Sequence, residues 1–263
     1  MEKHLHRKKQ RKKRIIAMII LIIAVAASTF ELATFLPTIG ELNTPANSYI
    51  SEYYIENAVE DTHSYNIVTA VLADYRGFDT LFETCVMFLS GITAMMVLST
   101  KDKVSKSIEI NSDDVNIFES DIMDNAFRII IPIIMIYGIY VLAHGEISLG
   151  GGFQAGALLA SAYLLDKIIP GFRTVLDRIT EEFALIVAGV GSFIYLSTGL
   201  LPMFNGGNFL EYGKFPFGSK SIEAVGHLHS TGILLIEVGV TICVAGVIIA
   251  ILEVVLERTS FDE

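Results

Sequence analysis

Six apolar runs divide this chain, and each is close to the length that a lipid bilayer demands. They fall at residues 15–36, about 68–99, 122–143, 153–169, 183–201 and about 228–256. A bilayer core takes about 20 mostly apolar residues per helix. Within it only internally hydrogen-bonded structures satisfy the backbone. The fourth run is short and the sixth is long. Composition agrees with the pattern: 52% of residues are hydrophobic, 18% are charged, and the mean hydropathy is +0.55. An ordinary soluble domain is excluded on these figures. The expected fold is an all-α integral membrane protein with about six transmembrane helices.

Charge is distributed as unevenly as hydropathy. Eight of the 19 Lys and Arg residues lie in the first 14: Lys3, Arg7, Lys8, Lys9, Arg11, Lys12, Lys13 and Arg14. The rest of the chain keeps 11 basic and 28 acidic residues. Such an arm could suggest nucleic acid. Here it abuts the uninterrupted apolar stretch 15–27, the pattern of a cytoplasmic anchor in lipid. With the N-terminus inside, 16 of the 19 basic residues fall on or near the cytoplasmic side, among them Lys101, Lys103, Lys106, Lys167, Arg173 and Arg178. The loop 40–66 contains five acids and no Lys or Arg. The expectation is a multi-pass protein of the cell (cytoplasmic) membrane, with N- and C-termini cytoplasmic and no nucleic-acid partner. The basic start, the apolar run and Ala24-Val25-Ala26 also resemble a signal peptide, so cleavage of the first helix stays open.

The polar stretch 101–120 splits the chain. The expected layout is a basic cytoplasmic N-terminus (1–14), a two-helix element (15–100), a polar cytoplasmic linker (101–120), a four-helix domain (121–257) and a cytoplasmic tail (258–263). Gly152, Gly156 and Ala160 recur every four residues, a face of small residues that lets helices approach closely in lipid. Gly232, Gly239 and Gly246 recur every seven and form a second such seam. Gly150, Gly151 and Gly152 either make a tight turn or allow non-helical backbone near the membrane surface. Cys85 and Cys243 lie inside expected spans and read as packing residues. No CxxC pattern encodes a cluster or haem attachment.

Ionisable groups inside a span are costly and mark functional candidates. Asp74, Arg76, Asp79 and Glu83 form the first cluster. On a helix Arg76, Asp79 and Glu83 share a face, Arg76 can pair with Asp79, and Asp74 points elsewhere. The run 66–99 exceeds a bilayer core in length, so a break near Gly77 is one expectation and a start outside the core is another. Glu83 is the more secure intramembrane acid. His144 and Glu146 form a second cluster at the end of the third span. His227, His229 and Glu237 form a third, with Glu237 deep in the last span as a proton or cation relay candidate. His227 and His229 face different ways on a helix and chelate one metal poorly. For each cluster a solvated helix end or a structural polar contact is the competing reading.

Two segments resemble a known family. His144-Gly145-Glu146-Ile147-Ser148-Leu149-Gly150-Gly151-Gly152-Phe153-Gln154-Ala155-Gly156 is similar to the signature of the B subunit (MnhB-like) of Mrp-type multisubunit sodium/proton antiporters. Its Phe153-Gln154 continuation is closer to relatives in energy-converting membrane-bound hydrogenases. Asp74-Tyr75-Arg76-Gly77-Phe78-Asp79-Thr80-Leu81-Phe82-Glu83 resembles the C-terminal end of the large A subunit of the same antiporters. Leu149 departs from the family's usual Pro. The order of the two elements makes the chain look like a fusion.

The resemblance implies a non-redox membrane subunit of a cation/proton-translocating complex. Asp74, Asp79, Glu83, His144 and the glycine loop would line part of a Na⁺ or H⁺ path. Na⁺ and H⁺ would be the transported ions, with no cofactor bound by this chain. Other antiporter-like membrane subunits, a peripheral redox arm and the lipid bilayer would be its partners. The expected host is a membrane-bound hydrogenase or related ferredoxin-driven respiratory complex. A dedicated Mrp-type Na⁺/H⁺ antiporter and a structural scaffold with no ion path are the alternatives, with a histidine metalloenzyme the most distant.

Overall fold

The computed structural model describes residues 2–41, 43–44, 46–99, 121–168, 179–216 and 222–260. The expected polar linker 101–120, with Lys101, Lys103 and Lys106, lies outside the described residues, as do Arg173, Arg178 and Lys220. The chain forms two compact units, Met1–Glu52 and Tyr53–Glu263.

The first unit is dominated by one helix, α1 (Glu2–Phe35). Its polar groups are tolerated because they turn back on their own backbone. Ser28 Oγ donates to Ala24 O at 2.8 Å, Thr29 Oγ1 to Val25 O at 2.6 Å, and Thr34 Oγ1 to Glu31 O at 2.7 Å. Hydroxyls in apolar helices commonly bond in this way.

In the second unit α2 (Ser51–Thr62, which begins in the first) leads to a single turn, α3 (Ile67–Thr69), and a π-helical stretch, Ala70–Tyr75. Then come α4 (Gly77–Ser99), α5 (Asp121–Ala143), α6 (Gly152–Ile168), α7 (Glu181–Leu200) and α8 (Ile222–Ser260). Helix α8 is the axis. Its buried Ile233, Ile236, Val240 and Val244 join Tyr195 of α7 and Tyr212 in one core. Contacts fix the directions. Gly152 and Gly156 of α6 meet Glu237 and Thr241 of α8 in the same order, so these helices run parallel. Gly191 of α7 meets Cys243, whereas Ala184 and Ala188 meet Gly246, so α7 runs opposite to α8.

Both glycine seams find partners within the chain. A methyl group added at Gly156 would lie 2.9 Å from Thr241 O, and one at Gly246 would lie 2.7 Å from Ala184 O. Only glycine permits backbone contact this close.

The long second run is broken where the glycine expectation put it. Arg76 leaves helical geometry with φ −122° and ψ 32°, and α4 starts at Gly77. Buried hydroxyls donate to carbonyls on both sides of the break. Tyr212 donates to Ala73 O at 2.6 Å, Tyr195 to Gly77 O at 2.7 Å, and Thr80 to Leu72 O at 2.7 Å. Broken helix inside a membrane bundle survives only with such partners.

Five helical segments among the described residues are long and apolar enough to cross a membrane: Ile15–Phe35, Gly77–Leu98, Asn125–Ala143, Glu181–Asn205 and Val225–Leu256. The expected fourth span differs. Its helix α6 has 17 residues, about 25 Å at 1.5 Å per residue. It ends on Asp166, Lys167 and Ile168, so its apolar part is shorter still. It is nevertheless central to the bundle, with Ala155, Ala160 and Ala162 at most 1% exposed.

Candidate ion-translocation site

Polar groups converge where segment 62–76, the loop 144–151 and the first half of α8 meet. Glu237 sits at the centre. It is 7% exposed, and its Oε2 is buried without a hydrogen-bond partner among the described residues. The loop closes over it with backbone alone. A methyl group at Gly145 would lie 2.6 Å from Glu237 Oε2, and one at Gly151 would lie 3.3 Å from Oε1. Gly151 also has φ +148°, a conformation that side chains disfavour. At Gly152 a methyl group would lie 2.5 Å from Glu237 O. Thr241 Oγ1 lies 3.1 Å from Gly152 O, joining α8 to the start of α6.

Glu146 lies within electrostatic reach of Glu237. Ser230 of α8 donates to Glu146 Oε2 at 2.6 Å. Burial pushes the Glu146 carboxyl up from its ordinary range, and the Ser230 hydrogen bond opposes that rise.

A second junction lies nearby on α8. Asp74, at the end of the π-helical stretch, meets His229 Nδ1 at 2.6 Å, and both side chains are largely buried. Tyr212 stands edge-on to the His229 ring, with centroids 5.9 Å apart. An open cavity of about 410 Å³ leads from Asp74 past Arg76 and Asp79 to Glu211. Arg76 and Asp79 pair at its rim, with Arg76 Nε donating to Asp79 Oδ2 at 2.7 Å.

The sequence candidates thus separate into two groups. Asp74, Glu146, His229 and Glu237 come together with Gly151 and Gly152. Gly150 shapes the same loop, since a methyl group there would lie 2.6 Å from Val141 O. Gly156 belongs to the α6–α8 seam. Glu83, His144 and His227 stand apart. Glu83 is exposed on the outer face of α4. His144 stacks on the Tyr140 ring at 4.1 Å. His227 is exposed, so the two histidines do diverge.

Known proteins match the two halves of the chain separately. Residues 122–250 match the model of a domain related to the MnhB subunit of Na⁺/H⁺ antiporters, and residues 12–114 match that of MbhE, a subunit of the membrane-bound hydrogenase MBH. A putative antiporter subunit mnhB2 from Staphylococcus epidermidis is 30% identical over 135 residues, covering 51% of this chain and 93% of that protein. The chain belongs to the MnhB family. A probable K⁺/H⁺ antiporter A/B subunit from Rhizobium meliloti is 25% identical over 224 residues. That match takes in 77% of this chain but spans only 22% of the Rhizobium protein. A chain of the membrane-bound sulfane sulfur reductase, an archaeal respiratory membrane complex, superposes with a TM-score of 0.62 at 26% identity. The match covers 92% of this chain and 98% of that one, so both halves occur together there too.

Several residues at the junction of the MbhE-like and MnhB-like regions were not singled out in the sequence. Asn66 and Thr69 donate to the glycine loop, and Ser230 holds Glu146. At the far end of the α6–α8 seam, Lys167 Nζ lies 3.2 Å from Glu253 Oε1, and the Tyr163 hydroxyl donates to the same oxygen. Small uncharged polar residues give no periodic signal. The Lys167–Glu253 pair joins residues far apart in the sequence of the four-helix domain.

Proposed function

We propose that this chain is a membrane subunit of a multisubunit cation/proton-translocating complex and that it builds part of the Na⁺ or H⁺ pathway. The observation that carries this reading is Glu237, a carboxyl enclosed in a membrane bundle with one oxygen unpartnered among the described residues. A buried acid without a counter-ion is a poor structural element. It serves well as a group that takes up and releases a proton or cation. In this reading Asp74 and His229 pass ions or protons between the cavity at Asp79 and the interior, and Glu146 relays to Glu237. Glu83 on the outer face of α4 meets another subunit, since a carboxylate facing lipid is costly.

The host in this reading is an energy-converting respiratory complex of the membrane-bound hydrogenase type, a choice supported by the MbhE-like region and the sulfane sulfur reductase likeness. Other antiporter-like subunits and a peripheral redox arm are then its partners. The layout is a basic N-terminus (1–14), an MbhE-like element (15–100), a linker (101–120), the MnhB-like domain (121–257) and a tail (258–263). The basic residues favour cytoplasmic termini in the cytoplasmic membrane. The Rhizobium relative supports a second host, a dedicated cation/proton antiporter. Co-purification from the native membrane separates the two by the presence or absence of iron–sulfur subunits.

The site is tested by Glu237→Gln in the intact complex, with cation-driven proton movement followed in inverted membrane vesicles. Transport should fall about a hundredfold or more, the lower end for loss of a proton-transferring group, with subunit composition unchanged. Full transport by the variant would sink the assignment.

A further inference from the structure

Five hydrogen bonds tie the glycine loop to a short segment of the other half of the chain, residues 64–69. Asn66 is 9% exposed. Its Nδ2 donates to Gly145 O at 2.8 Å and Ser148 O at 2.7 Å, and its backbone N donates to Glu146 O at 2.9 Å. Thr69 Oγ1 also donates to Gly145 O, at 2.7 Å, and Ser64 Oγ donates to Glu146 O at 3.1 Å. Asn66 is itself fixed, because its Oδ1 accepts from Val68 N at 3.1 Å as the cap of α3.

Side-chain packing adds little on that side. Ile147 is 67% exposed and Leu149 is 92% exposed. On its inner side the loop offers Gly145 and Gly151 to the Glu237 carboxyl. The cover is therefore bare backbone, secured by a few hydrogen bonds rather than by buried apolar area. Such a contact is loosened bond by bond, since each neutral hydrogen bond contributes little on its own.

We infer that the Asn66 carboxamide is a clamp that holds loop 144–151 shut over Glu237, and that its release governs access to this carboxyl. Asn66 is a positioning residue here, acting on Glu237 through the loop. The inference rests on the reading of Glu237 as an exchanging group, yet its test does not depend on transport.

The test uses Asn66→Asp in the intact complex. Aspartate keeps the oxygen that caps α3 and removes the donor to Gly145 and Ser148. Access to Glu237 is read with N,N′-dicyclohexylcarbodiimide, which adds to a protonated carboxyl and rearranges to a stable N-acylurea. The modified peptide is followed by mass spectrometry over time, with Glu237→Gln as the unlabelled control. The expected result is labelling at least about fivefold faster than in the unmodified complex, the equivalent of one lost hydrogen bond. Ser64→Ala, which removes a donor to Glu146 O, should accelerate labelling in the same direction. A rate within twofold of the unmodified complex overturns the clamp. Failure of the Asn66→Asp complex to assemble also overturns it, assigning Asn66 to folding alone. Faster labelling with undiminished transport in Glu237→Gln would keep the clamp and remove the ion path. Lost transport with unchanged labelling would do the reverse.

Discussion

Glu237 and Glu253 lie toward opposite ends of the same α6–α8 contact, and the chain treats them in opposite ways. Glu253 is paired through Oε1. Lys167 Nζ lies 3.2 Å away, Tyr163 donates to the same oxygen, and the ammonium sits 5.4 Å above the Tyr163 ring. Glu237 is more enclosed, and its Oε2 has no hydrogen-bond partner among the described residues beneath a glycine loop. A carboxylate with a cation and a donor holds two helices together. A buried carboxyl without a counter-ion is a candidate for a chemical task.

The largest expected effect separates the two ends. Lys167→Met leaves Glu253 largely buried without its cation, which should destabilise the protein by about 3 kcal/mol. Glu237→Gln removes no paired charge and should cost under about 1 kcal/mol. Thermal unfolding of the purified complex measures both. The comparison breaks if Glu237→Gln is as destabilising as Lys167→Met, because Glu237 would then be a structural group too.

Glycines allow a second, smaller contrast. A methyl group at Gly246 would lie 2.7 Å from both Ala184 O and Ala188 N, which are backbone atoms on a packed helix. Gly246→Ala must push α7 and α8 apart and should cost about 1–3 kcal/mol. At Gly145 the obstacle is the end of the Glu237 side chain, which can swing away. Gly145→Ala should cost under about 1 kcal/mol in stability and still disturb ion movement. Unfolding and vesicle transport, measured on the same preparations, test that split.

Much of the fold was legible because bilayer physics is severe. Apolar runs marked the spans, and glycine spacing marked both seams. The Gly77 break was also visible, since a helix from 66 to 99 was too long for the core. Helix α6 was less legible. Hydropathy marked it, but its true length depends on where Asp166 and Lys167 must meet α8. At the site, sequence singled out Asp74, His229 and Glu237 without pairing them, because nothing local brings residue 74 to residue 229. Asn66 was invisible for a different reason. A buried amide earns its place through carbonyls of a distant loop, and a carbonyl leaves no trace in residue identity. Glu83 marks the reach of periodicity, which fixes a face but not which neighbour covers it.

The smallest expected effect is a pair of opposed pH slopes outside the spans. Burial raises the Glu146 carboxyl, so the folded state holds its proton more tightly than the unfolded chain does. Its contribution is present below the ordinary carboxylate range and is lost as pH rises through the raised value. The hydrogen bond from Lys214 chiefly lowers Glu211, helped by the backbone of Asn208. That contribution is present above the ordinary range and is lost as pH falls through the lowered value. Glu146→Gln should therefore remove a decline of the unfolding midpoint toward neutral pH, and Glu211→Gln a decline toward acid. Glu211 is partly exposed at the surface, so solvent screening makes its slope the weaker of the two. If both substitutions flatten the same limb, Glu146 is not enclosed beside Ser230, and the loop over Glu237 stands open.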